Sequence, residues 1–320
     1  MLPTTRREFP KLALSALPAA SFLSLANSLP AASAKAGGKP NSTVRGVRIG
    51  LNVPYSFKNP TMSGEDILKN CVALNLSAVE LRAQPVEAFL GLPAILVATQ
   101  AGAKKGAAPD GNAEKLRQWR KAAPMERVKD FRKMYDDAGV LIEILKVDKI
   151  FEMTDDILDY SFTMAKALGV RAISTEISKN DEDLKRVGQF ADKHQLMVGY
   201  HGHATTTPAH WETAFSFAKY NGANVDLGHF VAGNNVSPAA FLQKHHARVT
   251  HVHVKDRKRE NGPNLPFGQG DTPIVEILRL IRDNRWPIQA TIEFEYPVPA
   301  DSDRMKELAR AIQYCRDALA

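Results

Sequence analysis

Eight times along this chain a short β-branched, apolar run is followed by a stretch with helical spacing, and that repetition constrains the fold more than any other feature. The runs are VRIGLNV (47–53), SAVELRA (77–83), GVLIEILKV (139–147), VRAISTEIS (170–178), LMVGYHGHA (196–204), NVDLGHF (224–230), THVHVKD (250–256) and ATIEFEY (290–296). Helices are expected at 63–74, 154–168, 182–194, 208–220 and 302–319. Parallel strands joined by right-handed helical crossovers close on themselves when there are eight, so the expectation is a (β/α)8 barrel forming one α/β domain over 46–320.

One connection is oversized. Gln84 to Pro124 separates the second strand from its helix and holds PVEAFLGLPAILV and the polar run AGAKKGAAPDGNAEK. Long loops in compact domains are commonly lids or unstructured. Phe89, Leu90 and Leu92 are expected either to overhang the barrel mouth and cover a ligand or to make a dimer contact, and a homo-oligomer is left open on that account.

The first residues stand apart. Arg6 and Arg7 precede Phe9 and Lys11, and a small-residue apolar stretch runs from Leu12 to Leu29. Pro18 and the many Ala and Ser residues argue against a stable membrane span, which needs ~20 strongly apolar residues. Ala32-Ser33-Ala34 offers a cleavage site, so residues 1–34 read as a twin-arginine signal peptide and the mature protein as periplasmic. An uncleaved anchor or a basic leader is the plainer alternative. Residues 35–45, rich in Gly, Lys, Pro and Ser, read as a flexible leader.

Without residues 1–34 the charge falls from 42 basic and 35 acidic residues to 39 and 34, a net of +5. That balance, with no basic block interleaved with aromatics, gives no support to a nucleic-acid partner. Two cysteines make no disulfide framework. Cys71 and Cys315 sit on apolar faces of the first and last helices and are expected as buried free thiols, because packed helix axes lie about 8–10 Å apart while a disulfide needs Cα atoms within about 7 Å.

Side-chain alternation sorts the polar residues. In RVTHVHVKD, His251, His253 and Lys255 share one face, with Val252 and Val254 on the other. A single strand histidine is usually a hydrogen-bonded structural residue. Here, however, five of the nine histidines, His201, His203, His229, His251 and His253, fall at or just past the ends of three successive strands. Glu80, Glu176, Glu293 and Glu295 end other strands in the same sense, and Asp226 ends the sixth. Carboxylates in neighbouring layers repel unless a cation intervenes, and a metal ion is the simplest one. Lys146 points inward near the top of its strand, where it is either paired with a carboxylate or in use as a substrate ligand or acid/base group. The FGQGDTP segment (267–273) lacks the third glycine of a dinucleotide loop and reads as a loop lining the mouth, with Asp271 or Thr272 capping the next helix.

VELRA, AISTE, GYHGH, VDLGHF, HVHVKDR, FGQGDTPI and IEFEY, in that order and spacing, resemble the xylose isomerase-like TIM-barrel superfamily over about 46–320. The resemblance is greatest to its sugar phosphate isomerase/epimerase branch, which includes twin-arginine-exported members. It implies one divalent metal ion (Mn, Mg, Co or Zn) held by Asp226, His253 and Glu293, with His201, Glu176 or both as the fourth ligand. His201 stands where ketose epimerases of the superfamily carry a second bridging glutamate, which puts their two-glutamate mechanism in doubt for this chain.

Such an ion would chelate vicinal oxygens of a sugar and stabilise the enediolate formed when the adjacent C–H is deprotonated. Lys146, Glu176, His201, His229 and Lys255 are the candidate acid/base groups, and Glu80, His203, Arg257 and Glu295 the candidate substrate contacts. The expected activity is isomerisation or epimerisation of a small, non-phosphorylated carbohydrate. A periplasmic 3-keto-glycoside lyase or hydrolase with the same metal-enolate chemistry is the runner-up, and a non-catalytic metal-dependent carbohydrate-binding protein is the reading from another class. The nuclease activity of a related branch is disfavoured, because it uses a three-zinc site with more histidines and export would remove it from the chromosome.

Overall fold

The computed structural model describes residues 38–96 and 111–320. The expected signal peptide and residues 97–110 of the insertion lie outside the described residues. Eight strands form the barrel: β1 (Val47–Val53), β2 (Ala78–Arg82), β3 (Leu141–Lys146), β4 (Ala172–Glu176), β5 (Met197–His201), β6 (Asn221–Asp226), β7 (Val249–Val254) and β8 (Gln289–Ile292). All neighbours are parallel and paired in chain order, and β8 pairs with β1 to close the barrel.

Outward-facing valines, leucines and isoleucines of these strands pack beneath a ring of helices. Those helices are α1 (Gly64–Ala73), α2 (Ala83–Phe89), α3 (Gly111–Lys121), α4 (Val128–Ala138), α5 (Asp155–Leu168), α6 (Asp181–His194), α7 (Pro208–Phe217), α8 (Leu227–Asn234), α9 (Ala239–His245), α10 (Ile274–Asp283) and α11 (Arg304–Leu319). Local chemistry sets their ends. Ser63, Asn180 and Asp303 accept backbone N–H bonds at the starts of α1, α6 and α11. Gly139 and Gly169 end α4 and α5 in the left-handed region.

Two strands carry an extra residue. Glu143 falls between the pairs Val79–Ile142 and Glu80–Ile144, and Thr250 between Ala223–Val249 and Asn224–His251. Both bulges lie toward the amino ends of the strands. Thr250 fits there because Gly199 has no side chain: a Cβ on it would stand 2.1 Å from Thr250 Oγ1.

Three expectations are corrected. Strand six starts earlier than read, at Asn221, and ends at Asp226, because the Asp226 carboxylate accepts the His229 N–H and starts α8; LGHF is therefore helix. Among the described residues of the insertion, Phe89, Leu90 and Leu92 do not overhang the mouth. Phe89 packs edge-on against Phe131 of α4 at 5.2 Å between ring centroids, Leu90 and Leu92 are buried, and Glu87 of α2 holds Arg120 of α3 at 2.7 Å. Finally, part of the expected flexible leader is built into the fold. Thr43–Val44 pairs antiparallel with the start of β1, and the buried Ser42 hydroxyl donates to Ile49 O at 2.6 Å. Cys71 and Cys315 are both free and buried.

Candidate active site

Strand register decides which side chains meet at the carboxyl end of the barrel. Asp226, the last residue of β6, lies opposite His253 of β7, and Glu293 follows β8 on the other side of that histidine. Donor atoms of His201, Asp226, His253 and Glu293 all lie within 4.8 Å of one another, and all four residues are buried. His253 Nδ1 is 3.4 Å from Glu293 Oε2 and 3.8 Å from Asp226 Oδ2. Donors about 2.2 Å from one ion stand at most ~4.4 Å apart, so small side-chain movements close this cluster on a cation.

Two further observations fit a divalent ion here. Asp226 Oδ2 and His253 Nδ1 are buried and make no well-directed hydrogen bond, although each has an oppositely charged neighbour, Lys255 and Glu293 respectively. The charge is also short on the positive side: Lys255 Nζ is shared by Asp226 Oδ2 at 3.1 Å, Glu293 Oε2 at 2.6 Å and Glu295 Oε2 at 2.5 Å. With Glu80 and the His253 imidazolium counted in, four carboxylates face two cations and leave a deficit of two charges. Burial alone would raise the Glu293 carboxyl, but Lys255 and His253 hold it well below the usual range. A cation taking these oxygens must displace the Lys255 ammonium from them.

Glu80, expected from the sequence to contact substrate, sits deeper. It has no exposed surface, and its Oε2 lies 2.5 Å from His253 Nε2 and 3.3 Å from His251 Nε2. This is the carboxylate–histidine arrangement that turns the other ring nitrogen toward a metal. Burial would depress the His253 imidazolium, but the charges of Glu80 and Glu293 prevail and raise it to about 10. Asn224 Nδ2 stands 3.0 Å from the same Nε2, and Asn52 of β1 donates to Glu293 Oε1 at 2.8 Å.

On the β3–β5 side of the mouth, buried Lys146 donates to Glu176 Oε1 at 2.6 Å, and Glu176 Oε2 lies 2.7 Å from His203 Nε2. His203 and Glu176 are the solvent-reaching end of this chain, with side chains 57% and 48% exposed. Despite desolvation, Lys146 and the two histidines hold the Glu176 carboxyl well below its ordinary range, and its bond to His203 raises that imidazole. His201, by contrast, is driven well down by burial and is neutral, as a metal ligand must be.

His229, a candidate acid/base group, has Lys255 Nζ at 3.1 Å from one ring nitrogen and Arg257 Nη1 at 2.6 Å from the other, and as a neutral imidazole it accepts from only one of them. Burial and the Lys255 charge push it down to about 3. Arg257, an expected substrate contact, is occupied, since its Nε and Nη2 both donate to Gly262 O, at 3.1 and 2.7 Å.

Some site residues were not singled out from the sequence. Tyr55 donates its hydroxyl to Glu295 Oε1 at 2.6 Å, and Arg82, ion-paired with Asp148, lies over the Tyr55 ring at 5.3 Å. Asp256 accepts the backbone N–H groups of Gly268, Gly270 and Thr272, at 2.8, 2.9 and 3.2 Å, and so shapes the FGQGDTP loop. Neither expected cap starts α10. Asp271 instead binds Arg259 N and Lys258 Nζ, and the Thr272 hydroxyl accepts Arg257 N. Asn224 had a signal in its inward parity, two residues before Asp226.

The model of the xylose isomerase-like TIM-barrel family matches residues 162–318. Among solved structures, the D-psicose 3-epimerase of Clostridium cellulolyticum is 11% identical, with 85% of this chain and 99% of that one covered and a TM-score of 0.60. A probable 3-DHS dehydratase from Bacillus anthracis is 13% identical, with 83% and 98% covered and a TM-score of 0.59. The 3-keto-D-glucoside 4-epimerase of E. coli is 11% identical, with 85% and 99% covered and a TM-score of 0.56. At such identities the likeness is one of fold. No curated protein matches the chain. With its closed eight-stranded barrel and the match of residues 162–318 to the family model, this chain has the xylose isomerase-like TIM-barrel fold.

Proposed function

We propose that this protein is a divalent-metal-dependent isomerase or epimerase of a non-phosphorylated carbohydrate. The observation that carries the reading is the four-donor cluster of His201, Asp226, His253 and Glu293 beside an acid/base chain that reaches solvent, with the His201 and His203 rings 4.9 Å apart. A divalent ion bound there supplies Lewis acidity to vicinal sugar oxygens.

The protein's own groups do the rest. Glu176, ionised and exposed, takes a proton from carbon or passes one to it, and Lys146 holds the carboxylate in place and stabilises its charge. Glu176 ends β4, and Glu295 follows β8 on the opposite side of the ring of strands, so acid/base groups stand on both sides of a bound sugar. A proton taken at one face and returned at the other inverts the carbon; one returned at the same face to a neighbouring carbon isomerises it. Arg82, Lys146 and Arg257 are each committed to an acceptor of the protein, which favours an uncharged sugar over a phosphorylated one. The leader read in residues 1–34 adds the proposal that the protein works in the periplasm.

A second reading, 3-keto-glycoside β-elimination, draws on His203, whose raised imidazole is placed to protonate a departing aglycone. Incubation with Mn²⁺ and free ketoses in deuterium oxide, followed by NMR, tests the first. Deuterium at the carbon beside the carbonyl with a new sugar appearing supports it. Release of the aglycone from a chromogenic 3-keto-glucoside without ketose turnover supports the second, and neither result would leave a binding protein.

A further inference from the structure

At the opposite end of the barrel, where the strands begin, lies a cavity of about 500 Å³ that the proposed chemistry does not use. Its walls carry five arginines, Arg45, Arg48, Arg171, Arg282 and Arg285, and one carboxylate, Glu143. Glu143 already serves two of them, accepting Arg48 Nη1 at 2.8 Å and Arg171 Nε at 2.6 Å. Arg282 is paired with Asp283 at 2.8 Å. Five guanidinium groups against these two carboxylates leave three positive charges in excess. Among the described residues, the guanidinium groups of Arg45 and Arg285 make no hydrogen bond or ion pair.

The cavity is built rather than incidental. The two strand bulges meet there, because Arg171 joins Glu143 on β3 to the Thr250 carbonyl on β7. Gln289, the first residue of β8, lines it and is 1% exposed, yet its Oε1 has no hydrogen-bond partner. Its Nε2 is fixed on Thr291 Oγ1 at 2.9 Å. A buried amide oxygen left unpaired is destabilising, and a ligand hydroxyl or amine would relieve it. Ile281, Trp286 and Ile288 give the same cavity an apolar wall.

We infer that this cavity binds a small organic oxyanion, a phosphate or carboxylate on a compact body with a hydrogen-bond donor, at a site separate from the barrel mouth. Guanidinium forks match both oxyanions, and the volume falls in the ~300–1,000 Å³ range of small-molecule pockets, larger than a bare ion requires.

Trp286, one of three tryptophans, reports on this cavity, so fluorescence of the full chain can be titrated with inorganic phosphate and with citrate at physiological ionic strength. The expected result is a saturable change that disappears in Trp286→Phe. Affinity should weaken about tenfold or more in the Arg45→Gln/Arg285→Gln double variant, about 1.4 kcal/mol. Those two side chains have no partners to lose, so the double variant should melt as the parent does. Preference between the two probes separates a phosphate from a carboxylate ligand. No saturable response to either anion, or equal affinity in the double variant, overturns the proposal.

Discussion

Glu80 Oε2 lies 2.5 Å from His253 Nε2 at the floor of the cation cluster, and neither side chain reaches solvent. A carboxylate in that position fixes the ring plane and the tautomer, leaving Nδ1 directed at Asp226 and Glu293. Glu80→Gln keeps the shape and removes the charge. Mn²⁺ affinity measured by equilibrium dialysis should fall ~10–100-fold, the usual range for such outer partners. Unchanged affinity would mean that His253 needs no such support.

Metal binding should release protons. Without an ion the His253 imidazolium is held up to about 10 by Glu80 and Glu293 against the effect of burial, so it carries a proton at neutral pH that a metal must displace. Affinity therefore rises with pH up to that range. Because the folded value is the raised one, the charged ring stabilises the metal-free fold below its ordinary value of 6.5, and that contribution is lost as pH climbs toward 10. Calorimetric titration of Mn²⁺ in buffers of different ionisation enthalpy should show net proton release.

Lys146→Met should separate catalysis from metal binding. Lys146 touches Glu176 and is not among the four clustered donors, so Mn²⁺ affinity should hold while kcat falls ~10²–10⁴-fold, the weight of a positioned acid/base group. Glu176, held below its ordinary 4.5, keeps the parent active and stabilised above that value, and the contribution is lost only as pH falls further. In the variant the acid limb of the pH–rate profile should move to higher pH.

The mouth loop depends on Asp256. Asp256→Ala removes the acceptor of three backbone N–H groups and should cost about 1.5–3 kcal/mol in urea unfolding. Gly270→Ala attacks the same contact from the other side, since its Cβ would stand 2.0 Å from Asp256 Oδ1.

Burial pushes the Cys71 thiol up to about 12 and Cys315 higher still. Neither should react with a thiol reagent in the native protein, and both should react after denaturation. Fewer than two thiols in the denatured chain would indicate a disulfide.

The barrel was legible because its two periods, alternation in strands and helical spacing between them, repeat eight times. Asp226, His253 and Glu293 were legible for the same reason: each lies at or beside the carboxyl end of a strand on its inward parity. Depth was not legible. Glu80 looks like a strand-end group in VELRA, but β2 runs on to Arg82, so Glu80 lies mid-strand and buried against His253. LGHF read as strand by composition, whereas the Asp226 carboxylate starts a helix there. The pairing of His229 with Arg257 depends on how the segment after β7 folds back to Gly262, which no local pattern encodes.

The account's central claim is that His201, Asp226, His253 and Glu293 hold one divalent cation at the barrel mouth. Anomalous diffraction at the manganese edge, from crystals grown with Mn²⁺, tests it most directly. The predicted result is one strong peak bounded by those four side chains, with Lys255 moved off the carboxylates. A map with no peak there, and Lys255 still between Asp226, Glu293 and Glu295, would contradict it.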